Sequence, residues 1–390
     1  MKRYIAYETI VNPLVMGTFL NLYLLDNGVD MSYILMIQTI LSIATVVLEI
    51  PTGMIGDMVG AKICLVGTSL LEVICFMCLI MRSDMSLIVY SVLYGLAIAL
   101  STSADSSYRT KLISLESIGA YNKISSLCSW MYNIRYIVII LAYGVLYEQN
   151  TIYPIYVQTV IAIVKLMIAI ILKEVDNKEV DIKNEESKYS LVELWEDIKG
   201  NGKLKCILVV ATIPAVTSRL VSLYTPSICN KMGIDAVGQS YITTAQVVIG
   251  LMVPIVYTKY YEEIKNKTMT ILLVVTCIGL GCTLIDNRWV IIGMLLTSIQ
   301  GSLYSIFVPR AICYHSMEKY RNTILSIMSL VKTFVYSLFT WSLSVLNVGD
   351  QVSLGIVMVI IVPVAIFSMV YVGKEFKRVE LESGENSQLS

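Results

Sequence analysis

Again and again along this chain, apolar residues run on for the twenty or so positions a helix needs to cross a bilayer. Such runs lie near residues 4–25, 32–56, 63–82, 86–107, 121–146 and 151–172, and again near 204–228, 236–257, 269–286, 289–308, 321–346 and 351–373. They are too long for barrel strands, and hydrocarbon offers a backbone N–H or C=O no partner, so each run must be a helix that closes its own hydrogen bonds. The expected fold is therefore all-α, a polytopic membrane protein with twelve transmembrane helices in two sets of six. At ~20 residues per span, twelve spans take roughly 240 positions. What is left of the 390 residues suffices for loops and tails but not for a large extramembrane domain.

The charges are few, and they are sorted by side. Only 15% of the residues are charged against 56% hydrophobic, and 29 basic side chains balance 29 acidic ones. A neutral chain lacks the concentrated basic surface that a polyanion requires, which argues against nucleic acid as a partner. With the N-terminus placed in the cytoplasm, 22 Lys and Arg fall on cytoplasmic segments and three, Arg82, Lys231 and Arg288, on the other side. The positive-inside rule then puts both termini and the central linker in the cytoplasm of a bacterial-type plasma membrane. The resulting division is 1–172 for a first bundle, 173–203 for the linker, 204–373 for a second bundle and 374–390 for a tail. Within the linker, Leu191, Leu194, Trp195 and Ile198 recur at helical spacing, as in a short amphipathic helix on the membrane surface.

The two halves echo each other. Arg109 to Ser125 and Arg310 to Ser326 both begin with Arg, pass through a Tyr-containing polar stretch and enter a Ser-bearing apolar helix, at equivalent places in the six-plus-six pattern. Parallel halves related by an axis along the membrane normal are the expected arrangement.

Between the second and third spans stands Glu49-Ile50-Pro51-Thr52-Gly53-Met54-Ile55-Gly56-Asp57-Met58-Val59-Gly60-Ala61-Lys62. Gly53, Asp57, Gly60 and Lys62 match in register the G-x-x-x-D-R-x-G-R-K loop of the major facilitator superfamily, which this chain resembles over its whole length in topology. Met58 stands where that motif has Arg, and Ala61 where it has the first of two basic residues. The resemblance implies a latch on the cytoplasmic side, in which Asp57 faces Arg109 or the start of the eleventh helix, with Glu49, Gly53, Gly60, Lys62 and Asp105 beside it. It also implies alternating access about a midplane site, with efflux as the expected direction. An uptake permease of the same fold, or a non-transporting receptor or assembly partner, are the alternatives.

Four cations fall inside the spans: Arg135, Lys165, Arg219 and Lys332. At 1.5 Å per residue Arg135 lies about 21 Å along the fifth span, Lys332 about 16 Å along the eleventh and Arg219 about 22 Å along the seventh. A cation there costs at least ~2.5–3.5 kcal/mol, so each must face protein, water or an anion. Lys165, about 12 Å inside the sixth span, can reach toward the cytoplasmic surface, and the intramembrane acids Glu8 and Glu72 could neutralise two of the four cations but not all. Polar stripes run beside two of them, Ser326, Ser329, Thr333, Tyr336, Thr340 and Ser344 near Lys332, and Ser125, Ser129, Tyr132 and Tyr136 near Arg135. Cations at similar depth in corresponding helices point to an anionic or amphipathic organic solute. The resemblance places the first, fourth, seventh and tenth helices around a cavity, which adds Glu8, Asn12, Tyr90, Tyr94, Ser222, Gln300 and Tyr304 as candidate contacts. Glu8, an acid within a span, is the candidate for proton coupling.

No enzyme is expected. With His315 as the single histidine, no Ser/His/Asp, Cys/His or metal constellation can be assembled, and Cys75 and Cys78 read as packing residues of an apolar helix. No cofactor and no metal are expected. The expected partners are a small-molecule substrate and membrane lipid, with the protein acting as a monomer.

Overall fold

In a computed structural model the chain is helical throughout its described residues, which are Tyr7 and residues 16–115, 118–172, 202–264, 267–285, 288–315, 321–365 and 367. We number the helices α1 (Met16–Asp26), α2 (Met31–Val59), α3 (Ala61–Met81), α4 (Asp84–Leu115), α5 (Ile118–Gln149), α6 (Tyr153–Ile171), α7 (Gly202–Lys231), α8 (Ala236–Lys259), α9 (Thr268–Leu284), α10 (Trp289–His315), α11 (Arg321–Leu346) and α12 (Asp350–Ala365). A single helical turn, Tyr261–Ile264, follows α8. Among the described residues eight of these helices are each long and apolar enough to cross a membrane, and α9 and α12 are shorter apolar helices. All twelve overlap the expected runs. Glu8, Asn12 and the linker positions 191–198 lie outside the described residues.

Why the runs pack as they do is plainest on α11. Val331, Phe334, Leu338, Trp341 and Val345 recur at steps of three and four and are exposed, while Tyr336, Ser337 and Thr340 are buried on the other side. In hydrocarbon this is the stable sorting, because hydroxyls need partners that lipid cannot offer. Thr340 finds one in Thr39 of α2, the two Oγ1 atoms lying 2.8 Å apart. Ser344 likewise donates to the Ser32 carbonyl at 2.7 Å.

Two compact units describe the packing. One takes in α1 to α6 together with Pro226–Thr244 and Ser337–Asn347, so the ends of α7, α8 and α11 belong with the first six helices. Its seam includes Asn230, whose Nδ2 donates to Asp26 at 3.2 Å, and Gly144 of α5, where an added Cβ would stand 2.7 Å from the Ser240 hydroxyl of α8. The other unit takes in α7 up to Thr225, α8 from Ala245, α9, α10, α11 up to Tyr336, and α12. In its interior Leu204, Ile207, Ala211, Val308, Ile312 and Ile324 form one apolar cluster.

The turns after α1 and α7 carry a repeat that the Arg109 and Arg310 segments only hint at. Gly28-Val29-Asp30 and Gly233-Ile234-Asp235 both place glycine at positive φ, 80° and 71°, where other residues are strained. Val29 N donates to the Leu24 carbonyl at 3.0 Å, and Ile234 N to the Cys229 carbonyl at 2.9 Å, the same helix-ending bond in each half.

The Glu49–Lys62 motif is not the loop it reads as in sequence. α2 continues to Val59 and α3 starts at Ala61, so Gly53 and Asp57 ride on the last turns of α2 and the turn is Gly60 alone, at φ 89°. Pro51 sits within α2, and Thr52 donates back to the Leu48 carbonyl at 2.7 Å beside it.

Candidate functional site

α5 divides its side chains by chemistry. Trp130, Ile134, Val138 and Val145 are exposed along one face. Tyr132 and Tyr136 are half-buried and Tyr143 and Tyr147 buried on the face that turns inward, and Arg135 is half-buried among them. Tyr143 donates to Gln158 Oε1 of α6 at 2.6 Å, and Tyr147 to Asp26 Oδ2 of α1 at 2.7 Å, so the hydroxyls at that end of the face are engaged.

Arg135 is not. Its Nε, Nη1 and Nη2 are all buried and none has a hydrogen-bond partner. The guanidinium stands 5.2 Å from the centre of the Tyr132 ring, and its electrostatic contacts among the described residues are with Tyr132 and Tyr143, with no carboxylate between them. Contact with a ring face attracts a cation but supplies about 0.5–2 kcal/mol, less than a paired carboxylate and its hydrogen bonds would give. Among the described residues, the charge therefore has no resident counter-ion.

Lys165 behaves otherwise, and the expected reach to the surface does not occur. Its Nζ lies 2.6 and 2.7 Å from the two oxygens of Glu72 on α3 and 5.5 Å from the centre of the Tyr7 ring. The Lys165 and Glu72 side chains are 3% and 5% exposed, so the pair is internal and the ammonium does not snorkel. Arg82, at the end of α3, is served by the Tyr23 hydroxyl at 2.6 Å. Arg219 is exposed on α7 with its guanidinium 4.3 Å from the Tyr336 ring centre. Lys332 is half-buried on α11 and has an interaction of its own.

The remaining candidates divide. Tyr94 of α4 is half-buried, stacked on the buried Tyr90 with ring centres 5.4 Å apart and planes 13° from parallel. Glu72 and Tyr132 both lie within electrostatic range of it. Gln300 is buried and donates its amide to the Pro214 carbonyl of α7 at 2.5 Å, tying α10 to α7. Its Oε1 is left unpartnered. Tyr304 packs against the apolar cluster of its unit. Of the motif, Lys62 and Glu49 are half-buried, while the side chains of Asp57, Asp105 and Arg109 lie outside the described residues. No group of three or more metal-ligating side chains occurs among the described residues.

The family model of the Major Facilitator Superfamily matches residues 9–340. The chain belongs to that superfamily. As a Major Facilitator Superfamily member it is a multi-pass membrane protein with a transporter fold, and its architecture agrees. A mutant of the nucleoside transporter NupG superposes with a TM-score of 0.75 at 13% identity, covering 95% of this chain and 98% of that one. The xylose transporter XylE from E. coli, in an inward-open conformation, gives 0.67 at 12% identity over 95% of this chain and 93% of its own. A POT family transporter in complex with 5-aminolevulinic acid gives 0.69 at 10% identity over 95% of each chain. These likenesses establish the fold. No curated protein matches the sequence.

Proposed function

We propose that this chain is a secondary transporter that carries a small anionic organic solute, with Arg135 as the anchor for the negative group. One observation carries the reading: a guanidinium in the span, its three nitrogens buried and unpartnered, with tyrosines and, among the described residues, no acid around it. Such a charge is expensive to retain unless something negative visits it, and an intramembrane cation without a partner marks a solute path. Lys165 shows the alternative in the same bundle, a cation neutralised in place by Glu72. Sequence symmetry makes Lys332 the counterpart of Arg135, and Arg219 adds a third charge, the second on the second half. The two halves, 1–172 and 204–373, would rock about the site, with Asp57 and Arg109 in the cytoplasmic latch and Glu8 as the proton-carrying acid. Direction has no residue behind it; the export suggested by family resemblance and uptake fit the anchor equally.

The test is flux through proteoliposomes loaded with a mixture of cellular metabolites, analysed by mass spectrometry. Compounds moved by the wild type and not by empty vesicles should be predominantly organic acids. An Arg135→Gln, Lys332→Gln double variant should move none of them. A carried set dominated by neutral compounds, or a double variant with wild-type flux, sinks the proposal.

A further inference from the structure

We infer that the solute presents its anionic group on a planar aromatic ring, and that Tyr94 and Tyr132 are the side chains that select the ring. This deepens the proposed function and rests on Arg135 holding an anion.

The inner face of α5 carries four tyrosines, Tyr132, Tyr136, Tyr143 and Tyr147, beside one fully buried aliphatic, Ile140. Ile134, Val138 and Val145 of the same helix face outward. Tyr132 and Tyr136 tilt against each other at 33° with centres 5.9 Å apart. From α4 comes the Tyr90–Tyr94 stack. Tyr90 is buried, whereas Tyr94 is half-buried and forms the more exposed ring of the pair, within electrostatic range of Tyr132. Glu72 also contacts Tyr94 electrostatically, but both of its oxygens are taken by Lys165, so that pair is neutral and does not repel an anion.

Tyr132 lies against the Arg135 guanidinium, whose nitrogens are closed off from solvent. A solute ring that takes the place of the Tyr132 ring replaces like with like: the cation keeps an aromatic face while its nitrogens gain the carboxylate they lack. An aliphatic acid gives the carboxylate but not the face. Stacking on Tyr94 and exchange at Tyr132 each contribute about 2- to 10-fold in affinity over an aliphatic contact.

The probes are benzoate, acetate and benzamide, one ring with a charge, one charge without a ring and one ring without a charge. Binding is measured by saturation-transfer NMR on the full chain in nanodiscs, with empty nanodiscs as the blank. Benzoate should bind roughly 4- to 100-fold more tightly than acetate, two such contacts compounded. Tyr94→Leu should bring the two acids to within a few-fold of each other, and Tyr94→Phe, which keeps the ring and guards against a folding defect, should retain the preference. Arg135→Gln should lose both acids. Equal affinity for benzoate and acetate, both abolished by Arg135→Gln, overturns the ring preference and leaves the anion reading standing. Benzamide binding as well as benzoate overturns both readings, as does a failure of all three to bind at millimolar concentration.

Discussion

Replacing Glu72 by glutamine should destabilise the protein far more than removing the whole Glu72–Lys165 pair. At 2.6 Å and an effective dielectric of about 20, the pair attracts by roughly 6 kcal/mol. Burying the two ions costs several kcal/mol each, so the net worth of the pair is small. Glu72→Gln removes the attraction and leaves the Lys165 ammonium, 3% exposed, among the described residues with the Tyr7 ring and an amide oxygen alone. The expected loss is about 3–5 kcal/mol. At about 2 °C per kcal/mol, the lower end for a chain longer than a single domain, the apparent Tm should fall by roughly 6–10 °C. The double variant Glu72→Gln, Lys165→Met should unfold within about 2–4 °C of the wild type, or above it. The assay is thermal unfolding of the purified protein in one detergent, with wild type, both singles and the double run together. Equal losses in Glu72→Gln and in the double variant would refute the claim that an orphaned ammonium is the source.

Arg135→Gln should do the reverse of Glu72→Gln: it removes an uncompensated charge, so the apparent Tm should hold or rise while solute flux is lost, and a fall in Tm like that of a core residue would count against the anchor role. Thr39→Cys with Thr340→Cys, whose hydroxyls are 2.8 Å apart, should cross-link under mild oxidation and stop flux, with activity returning on reduction; full flux in the cross-linked protein would show that this seam need not open. Gly144→Leu should lower the yield of that cross-link, because even a Cβ at 144 would press within 2.7 Å of the Ser240 hydroxyl; an unchanged yield would mean α5 and α8 can give way without parting the seam.

What the sequence made legible was the part governed by the solvent. Run length and the absence of partners in hydrocarbon fix twelve helices, and the three-and-four spacing on α11 identifies its buried face before any packing is known. Long-range pairing was less accessible. Glu72 and Lys165 are 93 positions apart on α3 and α6, and neither carries a local signal of the other, so Lys165 reads from its depth alone as a snorkelling residue. Gln300 reads as a lining residue of the tenth span until Pro214 is seen to present its carbonyl to it. The Gly28-Val29-Asp30 and Gly233-Ile234-Asp235 turns were open to inspection as a repeat, since glycine followed by an apolar residue is the chemistry of a helix stop. Glu49–Lys62 looked like a loop because its glycines and charges are turn formers in water, whereas within α2 the helix continues past them as far as Gly60.

The central claim is that the Arg135 charge is balanced by a visiting anion and not by the protein. Its most direct measurement is current across a solid-supported membrane bearing proteoliposomes, recorded on sudden addition of an organic acid that the wild type carries and of its neutral amide. Charge displaced as the anion reaches Arg135 should give the acid a transient current in the wild type, even where a proton then crosses with it, and none in Arg135→Gln, and the amide should give none in either. A current of equal size from the amide, or from the acid in Arg135→Gln, would contradict the claim.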